Sequence, residues 1–113
     1  MVDSGALHAR SVRLDLLGVQ LIVVQLEFDS FKRDKTLAER GLDFSRTGEL
    51  FAGRHFTAQD DRQEYAEDRF ITVGVLDARL VVEVWTPRGE VRRIISMRKA
   101  NDREKSLYAQ YLD

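Results

Sequence analysis

The feature that most constrains the fold is a change in the spacing of apolar residues after Gly53. Before this glycine the apolar side chains recur at helical spacing, whereas after it they alternate with polar ones, and β-branched and aromatic residues dominate. The alternating segments are RFITVGVL, RLVVEVWT and VRRIISMR. Because only short turns separate them, we expect three neighbouring strands in an antiparallel meander.

Two helices are predicted before the meander. The first is SFKRDKTLAERG, in which Asp29 or Ser30 can cap the N-terminus and Gly41 supplies a C-terminal stop. The second is shorter and covers DFSRTGELFAG, again closed by a glycine. A tight turn that contains glycine therefore joins two short helices.

Further elements flank these segments. A weaker strand is predicted at HFTAQ, and another, VVQLEF, is expected just before the first helix. At the C-terminal end, NDREKSLYAQYLD reads as a helix, because Asn101 and Glu104 have the spacing of a capping box. The predicted fold class is α+β, with two N-terminal helices, an antiparallel sheet of about four strands and a C-terminal helix.

Composition narrows the range of functions. A chain of 113 residues can close one core, so a single domain should carry the whole function. It contains no cysteine and only two histidines, His8 and His55, so we expect neither a metal site nor any other cofactor. No apolar run reaches the length of a membrane span, and no signal peptide is evident. We therefore expect a cytoplasmic protein.

The stretch RRIISMRKA gathers four cations, although the net charge of the chain is only −1. In a regular strand Arg93 would lie on one face, with Arg92 and Arg98 on the other. Arg98 could join Arg93 only if a β-bulge or the strand end redirected it. Glu83, on the neighbouring strand, is the nearest candidate carboxylate. We therefore expect Arg93 and a redirected Arg98 to meet Glu83.

Three segments together resemble a known family. LEFDSFKRDKTLAERGLDF, EDRFITVGV and RLVVEVWTPRGEVRRIISMRKANDREKSLY are similar to the BrnT toxins of bacterial BrnT/BrnA toxin-antitoxin pairs, over residues 25–111. The resemblance implies a RelE-like fold and a ribonuclease that inhibits translation by cutting RNA without a metal. It also implies a cognate BrnA-like antitoxin in a 2:2 complex, with operator DNA bound only through that antitoxin.

The sequence departs from this family in three places. Glu39, Arg40 and Gly41 stand where many members have Lys-His-Gly, so the role of that histidine does not carry over. Trp85 replaces a common histidine or tyrosine, and an indole cannot shuttle a proton at neutral pH. Residues 1–23 precede the usual start. They are expected either to be an artefact of a start codon placed upstream of Val24 or to form a real extension of the toxin domain 24–113.

Metal-free RNA cleavage needs a proton acceptor, a proton donor and positive charge for the transition state. Arginine suits the last role, because its planar donors grip a phosphate and stay charged. The residues expected to be catalytic are Arg93, Arg98, Glu83 and Arg69, with His55 a weaker candidate base. The residues expected to bind RNA are Lys99, Arg88, Trp85 and Lys32.

Plainer structural roles remain open for these residues. Arg93 could simply pair with Glu83 across the strands, and Trp85 could pack in the core rather than stack on a base. Arg98 and Lys99 could lie on the surface before the last helix. At the level of function, the alternative is a catalytically degenerate module that only binds the antitoxin. Direct DNA binding is disfavoured by the net charge of −1.

Overall fold

The computed structural model describes residues 7–16 and 20–112, with side chains described from residue 25 to residue 110. The elements in chain order are β1 (Leu7–Leu16), β2 (Gln20–Asp29), α1 (Ser30–Arg40), a 3₁₀ turn (Phe44–Arg46), α2 (Thr47–Ala52), β3 (His55–Gln59), β4 (Phe70–Leu76), β5 (Arg79–Arg88), β6 (Val91–Lys99) and α3 (Asp102–Leu112). The predicted α+β class is confirmed, but the predicted second helix is divided into the 3₁₀ turn and the short helix α2.

The strands form one sheet in the order β1-β2-β6-β5-β4-β3. The meander β4-β5-β6 is antiparallel as predicted, but β2 pairs in parallel with β6, Gln25 to Glu27 lying beside Val91 to Arg93. The prediction of about four antiparallel strands is therefore wrong in strand number and in strand direction. The alternation of apolar residues cannot reveal a parallel neighbour that comes from a distant part of the chain.

The first ten described residues form β1, which pairs antiparallel with β2 from Leu7–Asp29 to Leu16–Gln20. Strand β1 lies within the segment 1–23 that precedes the predicted toxin domain. The division of the chain at residue 23 stays a prediction.

Both ends of α1 follow from local chemistry. The Asp29 carboxylate accepts hydrogen bonds from the backbone N–H groups of Phe31 (2.9 Å) and Lys32 (3.1 Å). At the other end Gly41 has a φ of 70° and donates its N–H to Leu37. No residue of α1 is buried, and Arg40 anchors the helix by donating to the Met97 carbonyl of β6 (2.9 Å).

The main core lies between the sheet and the segment from the 3₁₀ turn through α2. Its buried side chains include Leu26, Phe44, Leu50, Trp85 and Met97. We call this side of the sheet the helix face. A smaller cluster of Val73, Val82 and Ala100, packed against Tyr108 of α3, lies on the other side, which we call the opposite face.

Candidate functional site

Strand β6 contains a bulge that decides where its cations lie. Trp85 of β5 pairs with Ile94, but the preceding residue Val84 pairs with Ser96, so β6 carries one extra residue. As a result Arg93 lies opposite Thr86 and Arg98 lies opposite Val82. These two partners share one face of β5, which places both arginines on the opposite face. The bulge that the sequence required for redirecting Arg98 is present.

Glu83 does not join them, because it points to the helix face. Its side chain is completely buried and accepts a hydrogen bond from the Thr47 hydroxyl (2.6 Å) through Oε2. Its Oε1 has no hydrogen-bond partner among the described residues. Burial raises the pKa of Glu83 to about 8, an effect that Thr47 and Arg92 oppose. The expected meeting of Arg93, Arg98 and Glu83 is therefore wrong, and so is the alternative Arg93–Glu83 pair.

The cation that does approach Glu83 is Arg92. Its guanidinium carbon lies 4.3 Å from the ring centre of Phe51 and 4.7 Å from that of Trp85. Trp85 is itself buried, stacks on Phe70 with ring centres 5.1 Å apart, and donates its indole N–H to the hydroxyl of Thr72 (2.8 Å). Trp85 therefore packs in the core, which is one of the two roles that the sequence leaves open for it. Arg92 covers the end of the core at this position.

Arg93 meets a carboxylate on the opposite face. It donates a 2.8 Å hydrogen bond from Nη1 to Glu27 of β2, and the two residues are direct neighbours in the parallel pair. Glu27 points away from the helix face because its neighbours Leu26 and Phe28 are in the core. Both members of the pair are partly exposed. No local sequence pattern indicates Glu27, because only the parallel pairing brings it beside Arg93.

Lys32 lies close to this pair, in the first turn of α1. Its pKa is lowered, mainly by partial burial and further by the charges of Arg93 and Arg69, while Asp29 acts in the opposite sense. Arg69 and Arg93 therefore act on the ammonium group through their charge. An amine in such surroundings gives up its proton more readily than an isolated lysine.

Arg69 is the third cation of the group and immediately precedes β4. Its guanidinium lies over the ring of Tyr65, 4.2 Å from the centroid. Its Nε is buried and has no hydrogen-bond partner among the described residues. A buried donor without a partner is costly, so it marks a place where a ligand atom would be stabilised. We call Lys32, Arg69 and Arg93 the cation triplet.

A cleft of about 330 Å³ adjoins the triplet between α1 and β6. Cations outnumber carboxylates in its lining, which consists of Lys32, Lys35, Thr36, Glu39, Arg40, Ile95 and Ser96. The bulge residue Ile95 and its neighbour Ser96 form the β6 side. The cleft therefore offers an anion a cationic wall next to Ile95 and Ser96 of β6.

Arg98 lies apart from the triplet. Both of its terminal nitrogens donate to Glu104 of α3, at 2.7 Å each. Glu104 also accepts from the backbone of Asn101 (3.0 Å), and Asn101 caps the Glu104 N–H in return (2.8 Å), so the predicted capping box is confirmed. These bonds fix α3 to the end of β6.

The remaining predicted site residues are dispersed. Lys99 is exposed and lines a different cleft, with Arg79 and Lys105. Arg88 is exposed and pairs with Glu67 at 3.3 Å. His55 is exposed, and its Nδ1 lies 2.9 Å from the Gly53 carbonyl oxygen. Of the residues predicted from sequence, Lys32, Arg69 and Arg93 lie close enough for their charges to interact.

Two features are absent from the described residues. No group of three or more His, Cys, Asp or Glu side chains in this part of the chain is placed to hold a metal ion. Among its helices, none is long and apolar enough to cross a membrane.

The fold and the site define a small α+β protein that presents a group of cations on one face of a mixed sheet. Residues 28–104 match a family described as the ribonuclease toxin, BrnT, of type II toxin-antitoxin systems. The match covers more than half of the chain and includes the whole cation triplet, so the chain belongs to this family. No curated protein matches the chain.

Proposed function

We propose that the protein is a metal-independent endoribonuclease that binds the scissile phosphate of RNA at the cation triplet. The observation that carries this proposal is the buried, unpartnered Nε of Arg69 beside Lys32 and Arg93. Two guanidinium groups and an ammonium can hold the non-bridging oxygens of a phosphate and stabilise the charge of the pentacovalent transition state. Glu27 holds Arg93 in position for this role.

The proposed reaction is attack by the adjacent 2′-oxygen. A bond forms from that oxygen to phosphorus while the bond to the 5′-oxygen breaks. Glu27 takes the 2′-hydroxyl proton, because it is the carboxylate in direct contact with the triplet. Lys32 donates a proton to the leaving 5′-oxygen, a role that suits an ammonium of lowered pKa. The products are a 2′,3′-cyclic phosphate and a 5′-hydroxyl.

We further propose that this cleavage inhibits translation in the cytoplasm and that a BrnA-like antitoxin neutralises it in a 2:2 complex. Membership of a type II toxin-antitoxin family supports a protein antitoxin as the partner. The net charge of −1 disfavours strong direct binding of the toxin to DNA, so operator contacts are assigned to the antitoxin.

Incubation of the purified protein with single-stranded RNA, with and without excess chelator, tests the proposed activity. We expect cleavage at the same rate in both cases and products that end in a cyclic phosphate. Cleavage that stops on chelation contradicts the proposed mechanism. Absence of cleavage under either condition favours the alternative, a degenerate module that only binds its antitoxin.

A further inference from the structure

A second, smaller cleft opens on the opposite face, between β3, β4 and α3. Its volume is about 190 Å³. Its lining combines apolar side chains (Ala58, Ile71 and Val73) with two aromatic rings and four polar residues. We call the aromatic pair, Phe56 and Tyr108, the aromatic wall, and the polar residues, Gln59, Asp60, Asp61 and Arg62, the rim. None of these residues belongs to the cation triplet.

Strand pairing connects this cleft to the cationic cleft. Ser96 pairs with Val84, Val84 with Ile71, and Ile71 with Ala58, so one row of side chains crosses four strands on the opposite face. Ser96 lines the cationic cleft at one end, and Ile71 and Ala58 line the second cleft at the other. Three strand spacings separate the ends, or about 14 Å. A single strand of RNA that crosses the sheet along this row reaches both.

The charge of the rim argues against a phosphate in the second cleft. Asp60 is buried and accepts hydrogen bonds from Arg62 (2.7 and 2.8 Å) and from the hydroxyl of Tyr65 (3.0 Å), which hold its pKa at about 2. These bonds neutralise Arg62, and the neighbouring carboxylate of Asp61 leaves the rim with a negative charge. A phosphate would be repelled there, whereas an uncharged ring would not.

The size and lining of the cleft suit a nucleobase. Its volume is below the range of pockets that enclose drug-sized ligands, so it admits only a small ring system. The rings of Phe56 and Tyr108 lie 6.0 Å apart, centre to centre, and form one wall. Proteins that recognise single-stranded RNA commonly stack unpaired bases on aromatic side chains and on arginine.

We propose that this cleft binds one unstacked base of the RNA strand whose scissile phosphate lies at the cation triplet. This inference rests on the proposed ribonuclease function and adds a specificity subsite to it. The base enters between the aromatic wall and the Asp60–Arg62 pair, and its backbone continues across Val84 towards Ser96.

The test measures cleavage of a short single-stranded RNA with one cleavage site, replacing one nucleotide at a time by an abasic one. We expect a loss in kcat/KM of at least about fivefold at one position a few nucleotides from the cleavage site, and little effect at its neighbours. The same series is run on Ala58→Phe, which fills the cleft from an exposed position on β3. Ala52→Phe, at the exposed end of α2 and on the helix side of the sheet, is the matched control.

Ala58→Phe should cleave the intact RNA as slowly as the wild type cleaves the abasic RNA. It should cleave the abasic RNA at the same rate as the wild type does. The second result shows that the variant is folded and keeps its chemistry. A uniform abasic profile, or a position-specific loss that persists in Ala58→Phe, overturns the base subsite while the ribonuclease function stands. Absence of cleavage of any RNA by the wild type overturns both.

Discussion

Arg92 and Arg93 are adjacent in sequence and lie on opposite faces of β6. Arg92 stacks on Phe51 and Trp85 at the end of the core, whereas Arg93 pairs with Glu27 beside the cation triplet. Strand geometry alone separates the two cations, and the charges of RRIISMRKA therefore serve different purposes. Arg92 closes the core, Arg93 belongs to the proposed phosphate site, and Arg98 fixes the last helix.

Substitution of Arg92 should affect stability and tryptophan emission rather than RNA cleavage. Arg92→Leu removes the guanidinium over Trp85, the only tryptophan of the chain. We expect a shift in the fluorescence spectrum and a loss of about 1 kcal/mol in the free energy of unfolding. Cleavage should stay within a fewfold of the wild type in a folded sample. A rate loss of a hundredfold or more would show that Arg92 contacts RNA.

Lys32 should shape the alkaline side of the pH–rate profile. Its pKa is lowered from 10.5, so a reaction that needs its ammonium form loses rate as the pH rises through this lowered pKa. Lys32→Arg keeps the charge but does not titrate in this range. The overall rate should be lower, and the loss of rate at alkaline pH should move to higher pH or disappear. Lys105→Arg, on the exposed surface of α3, is the control and should keep the wild-type profile. An unchanged profile in Lys32→Arg would remove Lys32 from the proton transfer.

Glu83 should make the folded protein less stable as the pH rises through neutrality. Its pKa is about 8 in the folded state and near 4.5 in the unfolded state. At a pH between these two values the folded state therefore binds one more proton than the unfolded state. The free energy of unfolding then falls with pH by up to about 1.4 kcal/mol per unit and levels off above pH 8. Denaturant titrations at several pH values should show this slope in the wild type and a much smaller one in Glu83→Gln. The exposed Glu90→Gln is the control, and a slope that survives in Glu83→Gln would contradict the assignment.

The contact between Arg98 and Glu104 should appear as a coupling energy. Both terminal nitrogens of the arginine donate to the carboxylate, and both side chains are partly buried. A double-mutant cycle with Arg98→Ala and Glu104→Ala should give a coupling of about 1 kcal/mol in unfolding free energy. A coupling near zero would mean that this bond does not hold α3 to β6 in solution.

Much of the fold could be predicted, because local patterns determine it. The meander follows from alternation and short turns, and the ends of α1 follow from Asp29 and Gly41. The parallel pairing of β2 with β6 is different, since it depends on how the whole chain returns to the sheet. It brings Glu27 beside Arg93, and no local sequence pattern predicts that contact.

The candidate site was predicted only in part for a similar reason. The sequence predicts Arg69 and Arg93 as catalytic cations and Lys32 as an RNA-binding residue, and in the structure the charges of the three interact. Glu83 looked like their partner because it lies on the neighbouring strand. The bulge at Ile95 moves Arg98 to the face of Arg93 but leaves Glu83 on the other face. Glu83 is completely buried there, because α2 packs over it.

The most direct test of the cation triplet is the rate of RNA cleavage, in excess chelator, by wild type, Arg93→Ala and Arg69→Ala. The exposed Arg103→Ala on α3 is the matched control. Removing one cation from the transition state should lower kcat by about a hundredfold or more in each triplet variant, with the control at the wild-type rate. Wild-type rates in both triplet variants, in samples that unfold at the wild-type temperature, would contradict the placement of the active site on this face of the sheet.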